Sequence, residues 1–436
     1  MVQVENVYDL GKIVSQRFME WVHEHPNGVV ALPTGRTPEF FIKTLEKYKL
    51  HWNSDEVRDD LKNFHLSSFP DTSQLKFVML DEFFPMASTH RNSFCRYIRK
   101  YYVELLDIRP DNVLTFDLVA EGVVTSEELM SFTDPDIDID LLHREPKNDT
   151  EVLQKDILQR VSAYCDLYEQ RVHSLGGIGF FLGGIGPDGH VAFNQQGHPL
   201  DSKTRLVKFN YPSAAQAAGD LGGIELARGK AAVTIGLHTI TANRDATIII
   251  MAAGEGKANI VRDALEGSVD PARQASALHG HPGARMYLTH GAACKLSNRQ
   301  ARRIQECQSS EALEWALSHL SGCSCPGGSE YAIVANPPPS YRVLESYLYE
   351  QSLRLDTPVH ELTPEALCAK QTTIPCPEPL KDALTCRAMV ACAARRLREK
   401  VECGLRSYRC QGKSILHTAP HHDDIMLSYH GKRPAA

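Results

Sequence analysis

Apolar residues recur at helical spacing in VYDLGKIVSQRFMEWVHEH, residues 7–25, and then give way to the run Val29-Val30-Ala31-Leu32. The pattern predicts an amphipathic helix, a buried strand, a turn, and a second helix from Pro38. The alternation repeats. Lys76 to Leu80 reads as a buried strand, NSFCRYIRKYYVELL as a helix, VLQKDILQRVSAYCDLYEQRV as a long helix and Ile178 to Leu182 as another strand. Further on, the strand ATIIIMAA enters the helical pattern of GKANIVRDAL. Strands alternating with helices at this spacing predict an α/β fold: a mostly parallel, doubly wound sheet with helices on both faces.

Two stretches interrupt the rhythm. Leu118 to Thr150, with DPDIDIDLLHREPKNDTE, is acidic and weakly periodic, and reads as a surface insertion. SGCSCPGGS, from Ser321 to Ser329, is rich in Gly, Ser and Cys and predicts a domain boundary at or just before it. The expected organisation is an α/β domain over residues 1–320, a mainly helical extension over 321–410, and a short tail over 411–436. A chain of 436 residues exceeds what one hydrophobic core usually organises, in keeping with that division.

Composition narrows the function classes. The net charge of −7 comes with no Lys/Arg-rich run, which argues against nucleic acid or an anionic membrane as the main partner. No apolar run approaches the ~20 residues of a membrane span, and the start MVQVENVYDLGK does not read as a secretory signal, so a cytoplasmic protein is expected. Of 12 cysteines, ten lie from Cys294 onward and none forms a C-x-x-C pair. Reduced thiols are the expectation.

In an open α/β sheet, ligands bind beyond the carboxyl ends of strands, and four polar stretches occupy such positions. Thr34-Gly35-Arg36-Thr37-Pro38 follows a strand and opens a helix. Thr37 suits an N-cap and Pro38 the first helical position, so this is either a phosphate cradle at a positive helix end or merely a well-capped helix. Asp81-Glu82 follows KFVML. Asp81 is either a buried base or a solvated strand end. Lys257, in Gly254-Glu255-Gly256-Lys257, sits at a helix start, where an ammonium is unfavourable unless an anion intervenes. GIGPDGHVAFNQ, residues 184–195, holds Asp188 and His190 two residues apart on a Gly-Pro-Asp-Gly turn. Two anion-binding candidates, a candidate base and an Asp/His pair at strand ends together point to isomerisation of a sugar phosphate.

The stretches ALPTGRTP, VMLDEFF with the later NSF, GGIGPDGHVAFN, SKTR and GEGKA, in this order over roughly residues 1–295, resemble the glucosamine-6-phosphate deaminase/isomerase family. That family shares a superfamily with the 6-phosphogluconolactonases, which typically continue Thr-Ala-Ser-Leu-Phe where this chain has Val191-Ala192-Phe193-Asn194. The resemblance implies that Asp81 moves a proton between C2 and C1 of an opened amino-sugar phosphate. By the same match, His190 assists ring opening, Asp188 supports it, and the backbone from Gly35 to Thr37 holds the phosphate with Lys257. It implies neither a metal nor an organic cofactor, and a small-molecule sugar phosphate as the partner. The family often forms oligomers, so a homo-oligomer is among the expectations.

The chain departs from the family pattern in places. Gln195 stands where the family has a glutamate, and can orient a hydrogen bond but carries no charge. NYPSAAQAAGDLGG offers no cation where a family arginine grips the phosphate. Arg36, in place of a small residue, is expected to supply that contact bidentately. Arg205 matches a position linked in the family to the allosteric site, and is a candidate effector or substrate contact. In the tail, His421-His422-Asp423-Asp424 resembles the His-Pro-Asp-Asp signature of zinc-dependent sugar de-N-acetylases. In a complete domain His421 and Asp424 would bind zinc, but no third ligand follows, so the tail reads as a truncated start with no metal. The leading expectation is an isomerase and deaminase of glucosamine 6-phosphate or a close amino-sugar phosphate. A sugar-phosphate-binding regulator without turnover and a 6-phosphogluconolactonase remain the alternatives.

Overall fold

The computed structural model describes residues 1–64, 66–132, 137–227, 229–297, 309–320, 337–368 and 376–405. The chain forms two compact units, Met1–Leu296 and Ser297–Ala436. The first contains ten strands among its described residues. In chain order they are β1 (Val2–Val4), β2 (Val29–Ala31), β3 (Lys76–Val78), β4 (Asp81–Phe84), β5 (Val113–Leu114), β6 (Phe180–Gly184), β7 (Arg205–Lys208), β8 (Ala231–Thr234), β9 (Thr247–Ala252) and β10 (Ala284–Thr289). Between them run α1 (Val7–Glu24), α2 (Glu39–Leu50), α3 (Asp55–Leu61), α4 (Phe94–Ile98), α5 (Ser126–Met130) and α6 (Asp149–Ser174). The remaining α-helices among the described residues of this unit are α7 (Tyr211–Leu221), α8 (Ile224–Ala227), α9 (Leu237–Thr241) and α10 (Ala258–Glu266).

Seven strands make one sheet in the order β1-β10-β9-β6-β2-β3-β5, parallel at every pairing. β2 and β6 are neighbours, yet the chain leaves β2 towards β3 on one side and β6 towards β9 on the other. Connections that diverge in this way open a crevice at the strands' carboxyl ends. The central strands are apolar on both faces because helices cover them: Val30, Ala31, Phe180, Phe181, Leu182, Ile248 and Ile249 are all buried. α1 follows the periodicity of its sequence. Leu10, Val14, Phe18 and Val22 are buried, and Asn6 caps the helix by accepting from the N–H groups of Tyr8 and Asp9.

A second sheet, antiparallel in the order β4-β8-β7, has no counterpart in the sequence reading. Its origin corrects the strand predicted over Lys76 to Leu80. β3 ends at Val78, and from Asp81 the chain pairs with β8 instead, Asp81 opposite Thr234 and Phe84 opposite Ala231. A continuous apolar run cannot reveal that its last residues change partners.

The described residues between Leu118 and Thr150 also contribute to the core, beyond what a surface insertion would. Leu118, Leu129 and Leu141 are buried in the main core, and α5 carries a complete Thr125/Glu128 capping box. The second unit is helical where the sequence predicts helices, over Pro339–Arg354 and Ala383–Leu405. The helix Ser309–Leu320, expected within the first domain, belongs to this unit: Ala312 and Ala316 share a core with Tyr341, Leu348, Met389 and Ala393. The tail residues His421, Asp423 and Asp424 lie outside the described residues.

Candidate active site

The crevice at the switch point between β2 and β6 is lined by residues from all four of the predicted stretches: Thr34 and Thr37, Asp81, Gly186, His190 and Phe193, and Lys257. Phe83 and Phe94 add an aromatic wall, their ring centroids 4.5 Å apart.

The loop after β6 explains the Asp/His pair. The Gly189 N–H donates to the Gly186 carbonyl, closing the Gly-Pro-Asp-Gly turn, and Gly189 takes φ +85°. The Gly186 N–H then donates to the His190 carbonyl, so the chain doubles back on the turn. This places His190 Nδ1 2.5 Å from Asp188 Oδ1, with both side chains buried. An ionised carboxylate accepts, so the proton between them belongs to Nδ1 and leaves Nε2 for the substrate. Burial alone would raise the pKa of Asp188. The hydrogen bond and charge of His190, with donors from Asn210 and the His190 backbone, outweigh burial and hold this carboxyl well below the usual carboxylate range.

Ala192, two residues on, has φ +51°, a left-handed conformation for a residue with a Cβ. Asn194 anchors the loop beyond it, donating to the carbonyls of Val191 and Ile235 at 3.0 and 2.9 Å, while the Phe193 N–H donates to Thr234 Oγ1 at 3.1 Å.

Asp81 is 8% exposed, at the point where the chain passes from the parallel sheet to the antiparallel one. Its neighbour Glu82 points elsewhere. Glu82 accepts from Ser93 Oγ at 2.6 Å and from the N–H groups of Phe83, Phe94 and Cys95, pinning the start of α4 and with it the Phe94 ring. Burial pushes the Glu82 pKa up, and those four donors oppose it. The sequence pairing of DEFF with the later NSF thus has a physical basis in Glu82 and Ser93.

The segment after β2 departs from the expected cap. The N-cap position of α2 is Pro38, and no side chain caps it. Thr37 instead lies against Gly184, where an added Cβ would stand 3.2 Å from its side chain. Gly35 takes φ +78°. Two tyrosines fix the loop, Tyr102 donating to the Pro33 carbonyl at 2.6 Å and Tyr97 to the Gly35 carbonyl at 3.0 Å. In trans peptides the N–H groups of Thr34 and Arg36 therefore point away from those tyrosines. Across the crevice, Lys257 Nζ donates to the Ile185 carbonyl at 2.6 Å, and burial lowers its pKa.

Three sequence candidates stand apart. Arg36 is exposed and does not line the crevice. Arg205 is used within the protein: it donates to Asn194 Oδ1 at 3.0 Å and faces His198 Nδ1 at 2.8 Å. Burial and the Arg205 charge pull the His198 pKa down to about 4. Gln195 makes no hydrogen bond to His190. Its Nε2 donates to the Lys208 carbonyl at 2.7 Å and its Oε1 accepts the Asn210 N–H at 2.5 Å. Asn210, which the sequence reading missed, donates from Nδ2 to Asp188 Oδ2 at 3.2 Å. Only its place as N-cap of α7, ahead of Pro212, was legible. Among the described residues no group of three His, Cys, Asp or Glu side chains is placed to hold a metal ion, and no helix is long and apolar enough to cross a membrane.

No family model matches the chain. Individual proteins do. The chain is 25% identical over 297 residues to glucosamine-6-phosphate deaminase 1 of Giardia intestinalis, covering 68% of this chain and 91% of that protein. It is 27% identical over 285 residues to glucosamine-6-phosphate deaminase of Bacillus velezensis (strain DSM 23117 / BGSC 10A6 / LMG 26770 / FZB42), covering 65% and 95%. A solved structure of a monomeric glucosamine-6-phosphate deaminase aligns with a TM-score of 0.49 at 24% identity, over 67% of this chain and 98% of that one.

Proposed function

We propose that the first unit of this protein is a glucosamine-6-phosphate deaminase, converting the amino-sugar phosphate and water to fructose 6-phosphate and ammonia. The observation that carries the reading is the convergence of Asp81, the Asp188–His190 dyad and Lys257 on one crevice at the sheet's switch point. A carboxylate, an imidazole with one free nitrogen and an ammonium are the groups that this reaction needs.

Ring opening transfers a proton from the C1 hydroxyl to the ring oxygen. His190 Nε2 can relay that proton, because Asp188 holds the other ring nitrogen and stabilises the imidazolium as it forms. Asp81 then takes the C2 proton of the open aldehyde and returns it to C1, while the aldehyde oxygen gains the proton that the amine nitrogen gives up, which leaves a C1 hydroxyl and a C2 imine. Water adds at C2 and ammonia departs. The buried position of Asp81, 8% exposed, suits this work, since it keeps the proton transfer away from bulk water. The phosphate is held by Lys257 and by the loop of Thr34, Gly35 and Thr37, next to the N-terminus of α2. One half-buried ammonium facing a dianion replaces the missing arginine only in part, and backbone N–H groups supply the remainder.

The test is direct. The full chain, incubated with glucosamine 6-phosphate, should release ammonia and fructose 6-phosphate in equal amounts. No product at high enzyme loading overturns the proposal. Turnover of 6-phosphogluconolactone in place of the amino sugar would assign the site to lactone hydrolysis instead.

A further inference from the structure

Gln195 meets a requirement that a glutamate cannot. A backbone N–H only donates and a backbone carbonyl only accepts, so the partners of its amide, Asn210 N–H and Lys208 carbonyl, fix which end is oxygen and which is nitrogen. A carboxylate at this position could take the first bond. Its second oxygen would then face the Lys208 carbonyl oxygen with no proton between them, in a residue only 2% exposed.

Asn210, held in this way, is fully committed. Its Oδ1 accepts the Ser213 N–H at 2.9 Å and caps α7, while its Nδ2 reaches Asp188. The bonds run without a break from the Lys208 carbonyl through Gln195, Asn210 and Asp188 to His190. They also tie the dyad to α7, whose Gln216 and Ala217 line the crevice.

We infer that Gln195 and Asn210 are positioning residues for the Asp188–His190 dyad, with Gln195 acting through Asn210. The amide at 195 is therefore a working feature of this chain, and restoring glutamate there weakens the site. The inference builds on the proposed reaction for its kinetic readout alone.

The experiment compares the full chain with its Gln195→Glu, Asn210→Asp and doubly substituted variants, labelled with ¹⁵N in histidine. Asn210→Asp keeps an oxygen to cap α7 and sets an acceptor, not a donor, against Asp188. Each single variant should still fold with one cooperative melt, since the cap survives, with its Tm lowered by several degrees because of the unpaired buried oxygen. Each should lose about ten- to a hundredfold in kcat, as expected when a hydrogen bond to a charged group is removed, while KM stays within about threefold. The His190 ring ¹⁵N signals should shift away from the form protonated at Nδ1. The double variant should lose no more than the worse single, because both substitutions break one chain of bonds.

Unchanged kcat and ¹⁵N signals, or a gain in kcat for Gln195→Glu, would overturn the inference; so would a fall in kcat with the His190 signals unmoved. Should Asn210→Asp fail to fold, Asn210→Ser, which keeps a capping hydroxyl and has no amide donor, takes its place. If the parent chain shows no turnover, the proposed reaction fails, and the His190 signals still decide this inference.

Discussion

The imidazole of His190 lies directly over the α-carbon of Gly186, and a Cβ on residue 186 would collide with three of its ring atoms. The turn therefore supplies both the pair and the floor on which the histidine rests. Gly186→Ala should displace the ring from Asp188 and lower kcat by about a hundredfold or more, the scale set by general acid–base catalysis. Steady-state kinetics beside a Tm measurement checks this; a wild-type kcat would mean that the ring does not rest there.

Asp81→Asn should abolish turnover and retain ligand binding. The amide has nearly the same shape and can no longer take a proton from C2. Thermal stabilisation by glucosamine 6-phosphate should persist in the variant. If stabilisation disappears together with activity, Asp81 serves the fold and not the chemistry.

Lys257→Met should raise KM for the phosphorylated sugar by about tenfold or more, the cost of one charge-assisted contact, with a smaller change in kcat. Arg36→Ala should leave KM within about twofold, because Arg36 is exposed and off the crevice lining. A large KM effect at Arg36 and none at Lys257 would reverse the phosphate assignment.

Glu82→Gln should cost about 1–3 kcal/mol of stability. Each carboxylate oxygen of Glu82 accepts from two donors, at least one of them a backbone N–H, so an amide NH2 in either place faces an N–H that it cannot bond. The Tm should fall by several degrees and activity should weaken along with it, because the Phe94 wall is set by the same bonds. Differential scanning calorimetry of the two proteins gives the answer.

Stability should decline as pH falls from about 6.5 towards 4, and part of that slope belongs to His198. Its folded pKa is about 4, below the ordinary 6.5, because of burial and the Arg205 charge. In this window the unfolded chain takes up a proton that the folded protein excludes, so this contribution is complete above 6.5 and is lost as pH falls through 4. His198→Gln, which keeps an acceptor and does not titrate, should show a shallower fall of Tm over the same range. Parallel curves would remove His198 from the account.

Much of the candidate site was legible because its parts are local. Gly-Pro-Asp-Gly specifies its own turn, and the spacing of Asp188 and His190 on that turn brings their side chains together. Lys257 and the Thr34 to Thr37 loop follow strand ends that the apolar runs announce. Asn210 was not legible, since nothing near residue 210 shows that Asp188 and Gln195 lie within its reach. The surroundings of Arg36 and Arg205 were not legible either: a cation in a promising stretch says nothing of which side of the loop it occupies or what it already binds.

The sequence by itself determined the alternation of helix and strand, the turn that makes the dyad and the polar residues at strand ends, because each depends on neighbours within a few positions. Only the tertiary structure decided that β2 and β6 lie side by side, that the chain turns at Asp81 into a second sheet, and that Gln195 serves Asn210 and not His190. Those outcomes rest on pairings between residues far apart in the chain, where loop closure, register and burial select one partner among many.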